Sequence, residues 1–429
     1  AAIGALAERM EVYRTYAAAA GPISAEDAAR LAAAAAAGAM PDPLTGALAG
    51  LLREQRELLL RFQQLTPAVM AKGVEDTAFY RSFRLAALNE VGGDPGHFGI
   101  TPGEFHAACA AAQREWPQSL LNTSTHDSKR GEDLRAQLWL LAEIPDRWQE
   151  AVCAWQRHNA RHHGAAKPDA NTEYLYYQTL VGAWPIRLDR MQAYMLKAVR
   201  EAKVYTSWRQ SHAGYEKVLR RFIAATMADG GWMRAVAEFV APQLAAGRIN
   251  SLAQLLVKLT APGVPNVYNG AELWDWTLVD PDNRQPVDFA LRRQRLEECA
   301  AGLAPEQIWA RAETGLPKLY LLQRALELRR ERAAAFGAGE HGNYRPLRAE
   351  GVYAEKVLAF ARGEEVVTVA PRATMNVPEW PRAAAATWLE LPPGNWRDRL
   401  SGETHHGRAA VSDLLARFPV ALLAREGAE

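Results

Sequence analysis

The residues of this chain best equipped for chemistry stand together in "TSTHDSKR", Thr123 to Arg130, directly after the apolar pair Leu120-Leu121. An aspartate accepts hydrogen bonds from two hydroxyls and a histidine donates one, so His126 and Asp127 side by side suit adjacent hydroxyls on a sugar ring. Lys129 and Arg130 are the nearest cations in sequence with which Asp127 can pair. A purely structural role competes with this one: Asp127 could cap a helix starting near Gly131, with His126 merely satisfied nearby. Taken alone, the octapeptide supports both roles equally.

Four further stretches bear on that choice. "KGVEDTAFYR" puts Lys72, Glu75 and Asp76 just beyond an expected strand, with Tyr80 and Arg81 one helical turn later. Acids at a helix start also stabilise any helix, by about 0.3–1 kcal/mol. "LNEVGGDPGHFG" is a glycine-rich loop carrying Asn89, Glu90 and Asp94. It lacks the G-x-G-x-x-G spacing and the lysine of a phosphate loop, which argues against nucleotide binding. "GVPNVYNGAELWDWTLVDPDNRQPVDF" combines Tyr268, Asn269, Glu272, Trp274 and Trp276 with a turn through Asp282 and Arg284. Aromatic faces beside carboxylates and amides furnish carbohydrate grooves, and they also serve as core anchors. In "NTEYLYYQTLVGAWP", Tyr174, Leu175, Tyr177 and Gln178 fall at helical spacing and read as a core stripe. The doublets His162-His163 and His405-His406 are read as lacking a helical i, i+4 partner or a nearby cysteine, so no metal site and no cofactor is expected.

The elements that must position these groups fall into regions. With 429 residues, 49% hydrophobic and 23% charged, the chain suits two or three globular domains. Its 50 basic and 49 acidic residues form no long like-charge block, which argues against nucleic acid or a membrane surface as partner. Three dispersed cysteines without C-x-x-C spacing suit a reducing cytosol, and no signal peptide or membrane-spanning run is read, so a cytoplasmic protein is expected. Because the chain opens on Ala1-Ala2-Ile3, it is expected to be a piece of something longer.

Residues 1–65 read as an alanine-rich helical subdomain: Ser24 caps "SAEDAARLAAAAAA", which ends at Gly38 before Pro41 and Pro43. "MEVYRTY" reads as a short strand, and Leu51, Leu52, Leu58, Leu59 and Phe62 as one face of a second helix. From 66 to 290 the pattern is α/β, with "AVMAKG", "SLLNTS" and "GVPNVYNG" as candidate strands and a tryptophan-rich helical insertion at about 131–247. Asn250-Ser251 is read as the cap of a leucine-rich helix. The fold class expected is the C-terminal part of a (β/α)8 barrel with large helical insertions, with His126 and Asp127 delivered to its mouth. A helical connector at 291–345 and a small antiparallel β-sandwich at 346–429 complete the reading.

"MAKGVEDTAFYR", "LNEVGGDP", "TSTHDSKRGEDLRAQL", "EYLYYQTLVGAWP", "REAKVYTSW" and "VPNVYNGAELWDWTLVDPDNRQPVDF" together resemble the maltooligosyl trehalose synthases, a family of the α-amylase superfamily of glycoside hydrolases. The likeness runs in order and spacing from about residue 9 to about residue 290. It implies a retaining, cofactor-free intramolecular transglucosylation that converts the reducing-end α-1,4 bond of a maltooligosaccharide to an α,α-1,1 bond. Of the family's three carboxylates, Asp127 occupies the place of the one that stabilises the oxocarbenium-like transition state, beside His126. Lys72, Glu75, Tyr80, Arg81, Asn89, Asp94, Lys129, Arg130, Trp274, Asp282 and Arg284 become candidate substrate contacts. The motifs that hold the nucleophile and the acid do not occur before residue 66, so the chain reads as the C-terminal portion of such an enzyme and is expected to be inactive alone. The resemblance implies as partners the N-terminal half of the same enzyme and a maltooligosyl trehalose trehalohydrolase. An α-glucan hydrolase, a branching-type transferase or a non-catalytic glucan-binding scaffold is the alternative.

Overall fold

The computed structural model describes residues 1–38, 43–164 and 166–427, so Pro41 lies outside the described residues. The chain divides into two compact units, one of residues 1–83 with 197–215 and one of 84–196 with the remainder. Residues 197–215, read in sequence as part of the helical insertion, thus sit with the first 83.

In the smaller unit, helices Ala2–Glu8, Ala25–Ala36, Pro43–Glu54 and Arg56–Met70 bury Leu6, Leu31, Leu52, Leu59 and Phe62 together. The Ser24 side chain accepts from the Asp27 amide, as the capping pattern requires. The expected single helix through Leu51 and Phe62 is two helices, because Gln55 takes an extended conformation between them. "MEVYRTY" is not a strand. At its end side chains take the backbone: Tyr16 N donates to Asp27 Oδ2 at 3.0 Å and the next amide, Ala17 N, to Gln63 Oε1 at 2.8 Å. Nor is "AVMAKG" a strand, for helix Arg56–Met70 runs through it and widens into a π-turn at Ala71–Glu75. An apolar run this short is compatible with either element, and here the helical face of Leu59 and Phe62 decides it.

The larger unit holds a two-stranded parallel sheet, β1 (Leu120–Leu121) and β2 (Val264–Pro265). Val264 N donates to Ser119 O at 2.8 Å and Asn266 N to Leu121 O at 2.9 Å. The pair depends on Gly263, whose φ of +134° belongs to glycine and whose Cβ, were it present, would meet Leu121 Cγ at 2.6 Å. Helix Leu244–Thr260 precedes β2 and buries Leu252, Leu255, Leu256 and Leu259 against Leu316, Leu321 and Leu328 of helix Leu316–Glu331. Asn250 and Ser251 lie inside that helix and not at its start. Asn250 Nδ2 donates to Ala136 O at 3.3 Å, a tertiary bond that a local capping rule does not anticipate. The tryptophan-rich stretch forms one aromatic cluster, with the Trp155 ring centroid 5.7 Å from Trp148, 5.6 Å from Tyr177 and 6.3 Å from Trp232. Tyr177 and Gln178 are buried, in keeping with a core stripe.

Beyond residue 343 the chain is antiparallel. β3 (Tyr344–Leu347), β5 (Val357–Arg362), β6 (Val366–Pro371), β11 (Ala421–Arg425), β8 (Trp396–Asp398) and β9 (Thr404–His405) form one sheet in that order. β10 (Arg408–Ala410), β7 (Thr387–Glu390) and β4 (Ala349–Gly351) form the other. Val357, Val367 and Val369 from the first share a core with Leu389 and Ala409 from the second. Val366, Ala370 and Leu422, on the opposite pleat, join the helical core, as the period of two requires.

Candidate active site

His126 and Asp127 stand four and five residues past Asn266's neighbour Asn122, beyond the C-terminal end of β1, and their side chains are 64% and 61% exposed. His126 Nε2 lies 3.1 Å from Asp127 Oδ2, and the Arg284 guanidinium 3.9 Å from Asp127 Oδ1. The cation beside Asp127 is therefore Arg284, not the expected Lys129 or Arg130. Asp127 caps nothing: the residue before helix Glu132–Trp139 is Gly131, and no side chain bonds the first turn in the capping position. Ser124 Oγ instead accepts from Glu132 N at 3.1 Å. The competing structural role for Asp127 is thereby removed, and an exposed carboxylate held by a histidine and an arginine remains.

The loop carrying this pair is fixed from three sides. Glu90, in "LNEVGGDP", accepts from Lys129 N at 2.9 Å and Arg130 N at 3.2 Å, and pairs with Arg135 at 2.7 Å. From the second side the "DPDNR" turn docks on it: Asn283 Nδ2 donates to His126 O at 3.1 Å. Asp282 anchors that turn by accepting from Arg190 at 2.9 and 2.8 Å and from Leu278 N at 2.8 Å. At the loop's end Gly131 packs so tightly that a Cβ there would meet Asp275 O at 2.4 Å.

The third support is a buried charge cluster that the sequence reading did not single out. Lys318 Nζ lies 2.8 Å from Glu132 and 2.6 Å from Asp133, and Lys258 Nζ lies 3.1 Å from Glu132 and 2.6 Å from Thr123 Oγ1. All four charged groups are buried, two of each sign. Burial pushes the Glu132 carboxyl up, but Lys318 and Lys258 outweigh it and hold the group down to about 2. Burial raises Asp133 to about 6, with Lys318 opposing and Glu132 adding to the rise. Both acids are ionised at neutral pH, as a two-plus, two-minus cluster needs. A signal existed: single lysines inside the apolar runs "LLVKLT" and "LPKLYLL" call for buried acidic partners.

The other candidate residues fall in different settings. Lys129, Arg130 and Asn89 are buried, and Arg130 donates to Tyr194 OH at 2.8 Å. Asp94 is exposed and closes its own loop by accepting from Gly96 N at 2.8 Å. Trp274 packs against the helical core and its indole donates to Ala312 O at 2.5 Å. In the smaller unit, Lys72 pairs with Asp76, buried Glu75 accepts from Tyr13 OH, Tyr80 is buried, and Arg81 donates to Ala202 O at 2.6 Å. The histidine reading needs correction. His158 stands four residues before His162, and their Nε2 atoms lie 3.0 and 2.9 Å from Asp229 Oδ2, with Arg161 on the same oxygen. Hydrogen bonds from His162 first, then His158 and Arg161, hold Asp229 well below the usual carboxylate range. Among the described residues no group of three such side chains is arranged to hold a metal ion.

The chain is helix-rich and carries small sheets, its structural match is to a glycoside-hydrolase-like fold, and comparison with known proteins gives the particular relatives. The chain is 38% identical over 381 residues to the putative maltooligosyl trehalose synthases of two Mycobacterium tuberculosis strains, a match covering 87% of this chain and 46% of theirs. It superposes on maltooligosyltrehalose synthase from Arthrobacter ramosus with a TM-score of 0.87 at 37% identity, over 99% of this chain and 54% of that one. A Sulfolobus tokodaii hypothetical maltooligosyl trehalose synthase matches with a TM-score of 0.78 at 28% identity, over 98% of this chain and 53% of that one. No family model matches. The chain is thus similar to maltooligosyl trehalose synthases along nearly its whole length, and it spans about half of theirs.

Proposed function

We propose that this chain is the C-terminal portion of an enzyme that converts the reducing-end α-1,4 bond of maltooligosaccharides to an α,α-1,1 bond, and that Asp127 is its transition-state-stabilising carboxylate. The observation that carries the proposal is the setting of Asp127: exposed at the C-terminal end of a parallel strand, paired with His126 and Arg284, and free of any capping duty. Active sites of β/α barrels gather at that end of the strands. His126 and Asp127 bind adjacent hydroxyls of the reacting glucose, and the Asp127 charge stabilises the oxocarbenium-like transition state. The nucleophile and the general acid come from the N-terminal half of the enzyme, whose strands complete the barrel beside β1. Two features support that placement. Leu120 of β1 is 69% exposed, whereas strands of parallel sheets are ordinarily buried on both faces. Alongside it lies an apolar cleft of about 1240 Å³ lined by Leu121, Phe98, Phe105, Val257 and Leu358.

In this reading Lys129, Arg130, Asn89 and Asp282 position the loop from behind, and Asp94, Trp274 and Arg284 of the larger unit are candidate contacts for the released glucose; Lys72, Glu75, Tyr80 and Arg81 of the smaller unit are candidates on the resemblance alone. The reaction needs no cofactor, belongs in the cytoplasm beside soluble glucans, and supplies a maltooligosyl trehalose trehalohydrolase with its substrate. The test is a chimera of this chain with the part of the Arthrobacter ramosus enzyme that it does not match. That chimera should consume the reducing ends of maltopentaose, and the same chimera with Asp127→Asn should not.

A further inference from the structure

His126 and Asp127 are the two central residues of a tight turn over residues 125–128, in which Ser128 N donates to Thr125 O at 3.3 Å and Thr125 N to Ser128 Oγ at 2.8 Å. The bond that closes the turn is long, and bonds from outside supplement it. They come from three consecutive residues of the "DPDNR" stretch, each with its own task. Asp282 ties the stretch down: Arg190 meets both of its carboxylate oxygens in parallel, at 2.9 and 2.8 Å, and donates besides to Trp276 O at 3.0 Å. Asn283 is buried, and its Nδ2 donates to Thr125 O at 3.4 Å and to His126 O at 3.1 Å. Arg284 reaches the same His126 O at 3.5 Å and Asp127 Oδ1 at 3.9 Å. The Asn283 amide is used at one end only, for its Oδ1 is buried without a hydrogen-bond partner. Buried acceptors left empty are costly and rare, so this one calls for a reason, and the donor end supplies it.

We infer that Asn283 is a positioning residue for the proposed reaction: by holding the His126 carbonyl it sets the peptide between His126 and Asp127, and with it the direction in which the Asp127 carboxylate stands. The inference rests on the isomerisation proposed above and adds a residue that acts through the backbone of another. Without Asn283, the His126 carbonyl is left with the longer of its two bonds, the one from Arg284. Rotation of that single peptide would swing both side chains and leave the fold intact. A displacement of about 1 Å can cost on the order of a hundredfold in rate. One neutral hydrogen bond, by contrast, contributes little to the stability of a chain of 429 residues. Rate and stability should therefore respond very differently to the loss of Asn283.

The test reads position and rate separately. In the purified chain, hydrogen–deuterium exchange of residues 123–130 should be about tenfold faster in Asn283→Ala than in the wild type, with the thermal midpoint lowered by no more than about 4 °C. Arg190→Lys, which acts through Asp282 and replaces two parallel bonds by a point charge, should speed exchange in the same segment by a smaller factor. In the chimera with the unmatched part of the Arthrobacter ramosus enzyme, Asn283→Ala should lower kcat about tenfold and leave KM within about twofold. Added to Asp127→Asn it should lower kcat by less than about twofold more, because the carboxylate it positions is already gone. Exchange unchanged in either variant, or losses that multiply in the double variant, would overturn the positioning role. An inactive parent chimera whose chain shows the faster exchange would count against the isomerisation and for the clamp. An active chimera in which Asn283→Ala turns over at the parental rate would count the other way.

Discussion

At the scale of single residues, Asp127 separates catalysis from structure. Asparagine caps and packs much as aspartate does, and Asp127 is exposed and caps no helix, so Asp127→Asn should leave folding unchanged. In the chimeric enzyme it should cost a few kcal/mol of barrier, roughly a hundredfold or more in turnover. A variant with near-normal production of the 1,1-linked sugar would return Asp127 to the surface. The buried cluster gives a second prediction. Lys318→Met leaves Glu132 and Asp133 with a single buried lysine, and should lower stability by about 3–5 kcal/mol in urea unfolding. The cluster also sets a pH dependence. Asp133, raised by burial to about 6, binds a proton in the folded chain where the unfolded one has released it, so its contribution to stability grows as pH falls from 7 toward 4.5. Glu132, held near 2, contributes fully above its ordinary value and loses that contribution as pH falls from 4.5 toward 2. Wild-type and Asp133→Asn unfolding curves should therefore diverge in slope between pH 4.5 and 7, and parallel curves would remove the raised carboxyl.

At the scale of elements, the short strands and their loops matter most. Leu120 is exposed in this chain, so Leu120→Lys should change its thermal stability by no more than about 0.5 kcal/mol. In the chimera the same change puts a charge on the strand face that the proposed barrel would cover, and activity should fall at least tenfold in step with loss of assembly. Equal activity would mean that β1's open face stays open. The sequence was legible at β1 and β2, where apolar pairs end in polar or glycine-bearing loops, and in the antiparallel strands after residue 343, where turns and period-two patterns coincide. It misled at "AVMAKG", because so short a run does not distinguish strand from helix, and at "MEVYRTY", whose last amide, Tyr16 N, bonds the Asp27 side chain and not a neighbouring strand. It missed the Arg284 partner of Asp127, since a contact spanning 157 residues leaves no local trace.

At the scale of the molecule, thiol accessibility gives a simple check on packing. Cys153 is exposed while Cys109 and Cys299 are buried, and burial pushes the Cys299 thiol up to about 11. A disulfide reagent at pH 8 should therefore label one thiol quickly and the other two only on unfolding. Fast labelling of all three would mean that the helical core is not closed as described.

The most direct measurement is the loss of maltopentaose reducing ends in three preparations: the chain alone, the chimera carrying the unmatched half of the Arthrobacter ramosus enzyme, and that chimera with Asp127→Asn. A nucleophile and an acid supplied by the other half, working on a transition state stabilised from this one, predict activity in the second preparation only. Turnover by the chain alone, or by the Asp127→Asn chimera at the rate of its parent, would contradict the division of the active site between the two halves.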